Sequence, residues 1–267
     1  MKHPLATKLG DLEKLLAGFP RLMVAYSGGV DSSLLLAVAG RVLGQNVLGV
    51  IADSPSLPRA SLAMALTQAR NLGLTVEVLA TSEFEDPRYA ANPPDRCYFC
   101  KSELFLRMDR LARERGYPVL AYGENADDPP AQRPGSLAAG QFAIRAPLRE
   151  AGLGKADVRE IARTLGLESA DLPAQPCLSS RIPHGTRVTP GAVSLIERGE
   201  EALRDMGFRI LRVRLVNAEP PWALVQVAPE ETEALLARRM EVLQRLKGAG
   251  FASVEIDPAG YRGTGLL

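Results

Sequence analysis

Aromatic side chains make up only 5% of this 267-residue sequence, tryptophan occurs once and histidine twice. Charge of one sign is missing as well: 32 Lys and Arg face 31 Asp and Glu, for a formal net charge of +1. Binding nucleic acid or an anionic membrane through bulk charge calls for a basic excess, so that class is disfavoured and only a local patch is left open. No apolar stretch approaches the ~20 residues needed to span a bilayer. The first residues, MKHPLATKLGDLEKLLAGFP, hold no sustained apolar run ahead of a small-residue cleavage site. The expected setting is therefore cytoplasmic, away from membranes. Three cysteines are an odd number and too few for a disulfide scaffold, so in a reducing compartment they read as thiols or metal ligands. Two phosphate-loop signatures are also absent: there is no G-x-x-x-x-G-K-[ST] and no G-x-G-x-x-G.

What is present is an ordinary 46% of hydrophobic residues, enough to bury the core of one large domain or two modest ones. The first half alternates short apolar runs with helical patterns. An amphipathic stretch at 5–17 precedes a strand at 21–26 (RLMVAY), a glycine turn and a helix at 31–43. Strands at 47–52, 74–80 and 119–122 then alternate with helices at 59–72 and 97–115, and a further helix covers 155–165. Such alternation predicts a parallel sheet covered on both faces. Beyond an irregular stretch at 173–190 the pattern changes to helix 191–206, strands 209–216 and 222–227, helix 230–247 and strand 252–256. That order suggests a small α+β domain, so the expected division is 1–187 and 188–267.

Ser27-Gly28-Gly29-Val30-Asp31-Ser32-Ser33 sits between an apolar strand and a helix. Glycines permit positive φ and let an anion approach backbone N–H groups, and the helix N-terminus adds unpaired donors and a favourable dipole. Ser27, Ser32 and Ser33 offer hydroxyls to phosphate, and Asp31 can cap the helix or hold Mg2+. The segment is similar to the pyrophosphate loop of enzymes that adenylate a carboxyl or carbonyl oxygen. Asp53 and Ser54 end the second strand at the sheet's carboxyl edge, where open α/β sheets bind ligands, and are expected to flank the nucleotide. The loop from Gly123 through Glu124, Asn125, Ala126 and Asp127 to Asp128 follows the fourth strand to the same edge, and Arg133 offers an anion-pairing fork.

Cys97 and Cys100 form a C-x-x-C, and Cys177 lies in Pro176-Cys177-Leu178-Ser179-Ser180-Arg181. Two thiolates at that spacing can chelate one metal or one corner of a cluster. A Cys3His zinc site would need His184, a redox C-x-x-C would open the helix after a first strand, and buried inert thiols are a third reading. The fourth is an iron–sulfur cluster held by three cysteines with one iron left open, and ligand count places it slightly ahead. Arg212 and Arg214 alternate along a strand (LRVRLV) and so share one face. Glu200 reads as a surface helix glutamate, with metal or anion binding beside those arginines as the alternative.

Together these motifs resemble the ATP-dependent sulfur transferases (LarE-like) that make the nickel-pincer nucleotide of lactate racemase. The resemblance is carried by AYSGGVDSSLL, ADSPSLPR, RCYFCKSELF, YGENADD with RPG, APLREAGLGKADVREIA, PCLSSRIPHGTRVTP, LRVR and GYRGTG. It implies a PP-loop fold, Rossmann-like and akin to adenine nucleotide alpha hydrolases, with a small C-terminal α+β domain. It further implies adenylation of a carboxylate of pyridinium-3,5-biscarboxylic acid mononucleotide and its replacement by a thiocarboxylate, carried out twice. One family type sacrifices the sulfur of a cysteine at the Cys177 position. Another has cysteines at the Cys97, Cys100 and Cys177 positions and delivers an extra sulfide from a 4Fe–4S cluster, and that type is favoured here. The resemblance also implies a small nucleotide substrate, ATP and Mg2+, a sulfide donor, and a homo-oligomer. Arg212 and Arg214 would bind substrate phosphate, with Ser180 and Arg181 beside Cys177. The acidic loop departs from the family pattern: Ala131 and Gln132 stand where a further Asp and an aromatic residue are common, which puts one nucleotide or magnesium contact in question. The rival readings are a cluster-dependent tRNA thiolase, which the balanced charge disfavours, an amide-forming ligase, and a zinc-stabilised nucleotide-binding module without catalysis.

Overall fold

Leu22, Met23 and Val24 are all fully buried on strand β1 (Leu22–Ala25), so both faces of the strand are covered. That follows from an unbroken apolar run with no polar residue to turn outward. The structure, a computed structural model, describes residues 4–128, 134–173 and 175–261. The chain forms two compact units. The first comprises Met1–Asp86 with Asp95–Gln175, the second Pro87–Pro94 with Pro176–Leu267.

In the first unit, helix α1 (Pro4–Ala17) leads into β1 and α2 (Val30–Leu43). Then come β2 (Val47–Asp53), α3 (Arg59–Asn71) and β3 (Val76–Ala80). The chain gives residues 87–94, with the short helix α4 (Pro87–Ala90), to the second unit. It returns as α5 (Arg96–Arg115), β4 (Val119–Tyr122), α6 (Pro134–Gln141), α7 (Pro147–Glu150) and α8 (Lys155–Thr164). The four strands run parallel in the order β3-β2-β1-β4. The chain therefore builds outward from β1 on one side and later returns to its other side, and the loops after β1 and β4 diverge at the switch point where such sheets bind ligands. One face buries Leu22 and Val24 against α1, α2 and α8 through Leu16, Leu35, Val158 and Ile161. The other buries Met23 and Leu120 against Phe105 and Met108 of α5 and Ala138 of α6.

In the second unit, α9 (Pro190–Asp205) opens with Thr189, whose hydroxyl accepts from Ala192 N at 3.1 Å, and with Pro190 at its first position. Strands β5 (Leu211–Ala218) and β6 (Pro221–Val227) pair antiparallel, and β7 (Ser253–Ile256) adds parallel to β6. Gly199 of α9 lies so close to the sheet and to the C-terminal helices that a Cβ there would sit 2.8 Å from Phe251 and 3.3 Å from both Leu246 and Val213. The single helix expected over 230–247 is instead α10 (Thr232–Ala237) and α11 (Arg239–Ala249), broken at Arg238. Arg238 leaves helical geometry at φ −101° and ψ 21°, and its guanidinium donates to the Met206 carbonyl at 2.7 Å. That tertiary bond has no counterpart in the local pattern. Among the described residues no helix is long and apolar enough to cross a membrane.

Candidate active site

Glycine geometry shapes the loop after β1. Gly28 has φ +75°, and a Cβ on it would lie 2.7 Å from the Ala65 Cβ of α3, so any larger residue meets both strain and a clash. Gly29 is the N-cap of α2 and has no side chain to cap with. The Ser32 hydroxyl accepts from Ser27 N at 3.1 Å and donates to the Gly29 carbonyl at 3.1 Å, while the Ser27 hydroxyl stands 3.1 Å from it. Ser33 points elsewhere: its buried hydroxyl donates to Gln68 of α3. The first N–H groups of α2 have no intrahelical partner, which leaves this turn a cradle of donors.

Asp31 does not cap its helix. Its carboxylate instead accepts from Asn125 Nδ2 at 3.1 Å and pairs with Lys155 Nζ at 2.5 Å. Three separated segments thus meet at Asp31: the glycine loop, the loop after β4 and the start of α8. The loop after β4 is fixed to α8 independently, because Asp127 accepts from Lys155 N at 2.6 Å and Ala126 N donates to the Leu153 carbonyl at 2.7 Å. Lys155 is a site residue that sequence reasoning missed. The signal was available: a lysine at the first position of a helix sits against an unfavourable dipole, so something else must hold it there.

Gly123 touches the cradle directly. A Cβ at Gly123 would fall 2.6 Å from Ser32 N and 2.8 Å from the Asp31 carbonyl carbon. Gly123→Ala is therefore expected to displace the first turn of α2 and raise the KM for ATP by about tenfold or more, measured by pyrophosphate release. A KM within about twofold of the parent would contradict this packing.

Next to Gly123, Glu124 is only 7% exposed; the Tyr122 and Ser136 hydroxyls donate to it, and Arg149 Nε is 3.3 Å away. Burial, then the Glu124 hydrogen bond and charge, push the Tyr122 hydroxyl above its usual range. This cluster ties the end of β4 to α6 and α7. At the end of β2, Asp53 pairs with Arg59 at 2.5 Å, and the buried Ser54 hydroxyl lies 2.8 Å from Ser56 and donates to Glu83. Arg133, Ala131 and Gln132 lie outside the described residues.

Cys97 and Cys100 occupy the first turn of α5, three positions apart and so on one side of the helix; Cys97 is exposed and Cys100 half-buried. In the second unit Cys177 precedes a short 3-10 turn over Leu178–Arg181. Its carbonyl accepts from Ser180 N at 3.0 Å, the Ser180 hydroxyl at 2.7 Å and Arg181 Nη1 at 3.0 Å. Arg181 is 3% exposed; it also donates to the Pro176 carbonyl and pairs with Glu200 at 2.8 Å. The expectation of a surface glutamate at 200 is thus wrong. Glu200 is 0% exposed, binds Arg181 and Arg204, and accepts from Val213 N. Two guanidinium groups and a backbone N–H supply what water would have supplied, which is why a carboxylate can be buried there.

Arg212 and Arg214 do share one face of β5, with their neighbours Leu211, Val213 and Leu215 buried on the other. Burial first, and the Arg181 charge second, push the Arg212 guanidinium below its usual range. A cation under that strain is stabilised by an anion brought to it.

As for a 4Fe–4S cluster, the donor set matches in kind, with three thiols in no disulfide. Among the described residues, however, no group of three or more His, Cys, Asp or Glu side chains is gathered to hold a metal. Cys97 and Cys100 belong to the first unit, and Cys177 and His184 to the second.

A parallel sheet that feeds a glycine-rich turn into a helix N-terminus at its switch point, braced by an acidic loop, defines a PP-loop ATP-using enzyme. No family model matches the chain. It is 32% identical over 259 residues to the pyridinium-3,5-bisthiocarboxylic acid mononucleotide synthase of Lactiplantibacillus plantarum, covering 97% of this chain and 93% of that one. The chain belongs to the family of that synthase. It is also 40% identical over 260 residues to an uncharacterized protein of Synechocystis sp., covering 97% and 96% of the two chains. A shorter match, 41% over 63 residues, links 23% of this chain to 11% of the glutamine-dependent NAD(+) synthetase of the same organism and agrees with the PP-loop class.

Proposed function

We propose that this enzyme is an ATP-dependent sulfurtransferase that converts the carboxylates of pyridinium-3,5-biscarboxylic acid mononucleotide into thiocarboxylates, releasing AMP and pyrophosphate. The observation that carries this reading is the full-length likeness to the L. plantarum synthase, whose name states its product. The geometry of the two units agrees with it.

A carboxylate resists nucleophiles because it is negatively charged and has no good leaving group. Its oxygen attacks the α-phosphorus of ATP, the bond to pyrophosphate breaks, and an acyl adenylate forms. Backbone N–H groups at Gly28, Gly29 and the first turn of α2 receive the departing pyrophosphate. Asp31, held by Asn125 and Lys155, is the carboxylate available to a magnesium ion that shields the phosphates. A sulfur nucleophile then attacks the activated carbonyl, a C–S bond forms and AMP leaves with the electron pair. With Cys177 as that nucleophile, loss of its α-proton and cleavage of its Cβ–S bond leave the thiocarboxylate on the product and dehydroalanine in the chain. Arg212 and Arg214 hold the substrate phosphate. The reading includes ATP, Mg2+, a homo-oligomer and a cytoplasmic setting.

The finer part of the proposal is that Cys97, Cys100 and Cys177 hold a 4Fe–4S cluster, which when bound would supply a replaceable sulfide. Its support is the presence of three cysteines, none of them in a disulfide. The deciding experiment uses protein purified without oxygen and given ATP, Mg2+ and the biscarboxylate mononucleotide. Pyrophosphate release with exchange of oxygen for sulfur in the product is expected; release without exchange would overturn the sulfurtransferase reading. About four irons per chain, lost on replacing any of the three cysteines, would support the cluster. Iron-free protein in which Cys177 itself loses its sulfur would assign the sacrificial route.

A further inference from the structure

Both arginines of β5 are braced from one short turn. We propose that residues 257–261 are the positioning element of the anion site, with Asp257 aiming Arg214 through Gln226 and Tyr261 supporting Arg212. This inference rests on the phosphate-binding reading of the two arginines.

Gln226 of β6 pairs with Arg212 in the ladder and is one diagonal step from Arg214, within reach of a long side chain. Arg214 Nε donates to Gln226 Oε1 at 2.7 Å, and Gln226 Nε2 donates to Asp257 Oδ2 at 2.7 Å. The chemistry of the relay has one direction. An ionised carboxylate only accepts, so Asp257 draws the NH2 end of the amide and leaves its carbonyl for the guanidinium, which only donates. Without Asp257 the amide is free to turn, and its NH2 end would face Arg214 with nothing to offer. The relay takes up Nε alone, so both terminal amino groups of Arg214 are left to meet two phosphate oxygens. Because the connector is a neutral amide, it fixes the guanidinium without cancelling the charge that an anion requires.

Asp257 is itself held: its N–H donates to the Val225 carbonyl at 2.9 Å and its Oδ1 accepts from Ala259 N at 2.9 Å. The turn then closes through Gly260, at φ +67°, where a Cβ would sit 2.9 Å from both the Val227 carbonyl oxygen and the Thr232 hydroxyl. Glycine is required there on both counts. The next residue, Tyr261, donates its N–H to the Val227 carbonyl at 2.6 Å, and its ring lies 4.7 Å from the Arg212 guanidinium, with the hydroxyl 3.4 Å from Nη2. A cation resting on an aromatic face keeps its orientation and its charge.

The test compares pyridinium-3,5-biscarboxylic acid mononucleotide with its dephosphorylated nucleoside on the full-length enzyme, by initial rates and by calorimetric binding. Asp257→Ala is expected to raise the KM and Kd for the mononucleotide by about tenfold, with kcat, the KM for ATP and nucleoside binding within about twofold of the parent. Asp257→Asn should restore mononucleotide binding only in part, because its single carbonyl oxygen can accept from Gln226 or from Ala259 N but not from both. Arg214→Ala separates the two readings. If it weakens the mononucleotide and Asp257→Ala does not, the positioning inference fails while phosphate binding stands. If Arg214→Ala itself leaves mononucleotide binding unchanged, the phosphate reading falls and the inference with it. If Asp257→Ala weakens nucleoside, ATP and mononucleotide alike, the turn is merely structural and the inference is overturned.

Discussion

Replacing Cys177 with alanine is expected to lower thiocarboxylate formation by about a thousandfold or more, while pyrophosphate release in the first turnover stays within about twofold of the parent. The split follows from where the residue's two roles lie. The hydrogen bonds that Cys177 itself makes in this turn use its carbonyl, accepting from Ser180 and Arg181, so removing the thiol disturbs none of them. The groups assigned to ATP lie in the other unit, around Gly28, Asp31 and Lys155, and do not include the thiol. Cys177→Ser should behave like the alanine variant, since a serine hydroxyl fills the space but has no sulfur to give. Paired assays of pyrophosphate and of sulfur in the product decide the matter. Undiminished sulfur transfer by either variant would remove Cys177 from the chemistry.

The largest loss of stability is expected from Glu200→Ala, at about 3–5 kcal/mol in denaturant unfolding. Glu200 is fully buried and compensates Arg181, which is 3% exposed. Removing the carboxylate leaves that guanidinium in the interior with two backbone carbonyls and the Ser180 hydroxyl as its remaining acceptors and exposes the Val213 N–H to the same deficit. Glu200→Gln should cost roughly half as much, because an amide still accepts from one donor but does not neutralise charge. A change below about 1 kcal/mol for Glu200→Ala would show that the buried pair does not hold this unit together. The effect should also reach sulfur transfer, because Arg181 is the link between Glu200 and the backbone at Pro176 and Cys177.

The sheet of the first unit was legible because its signals are local. RLMVAY and VLGVIA bury themselves whatever surrounds them, and a glycine turn between strand and helix announces a ligand edge. The short helices α4, α6 and α7 left no periodic trace, being only four or eight residues long, and α6 is built largely of Gly and Ala. Glu200 was misread although its spacing was informative. With Val193, Ile196 and Leu203 it falls on the buried stripe of α9, and a carboxylate on that stripe calls for a cationic partner. Lys155 belongs to a motif that was recognised as a string without a role being drawn from it. The relay from Asp257 to Arg214 had no sequence signal, since it depends on the register of three strands.

The bond between Lys155 and Asp31 joins residues 124 positions apart. A chain emerging from the ribosome exposes its glycine turn early, but the lysine that pairs with Asp31 arrives only after β4, α6 and α7 have been made. Closing so long a loop must await the packing that brings α8 against α2. The completed cradle is therefore a late event in the life of the nascent polypeptide: truncated chains ending before residue 155 can offer Asp31 the Asn125 amide but not the cation that pairs with it.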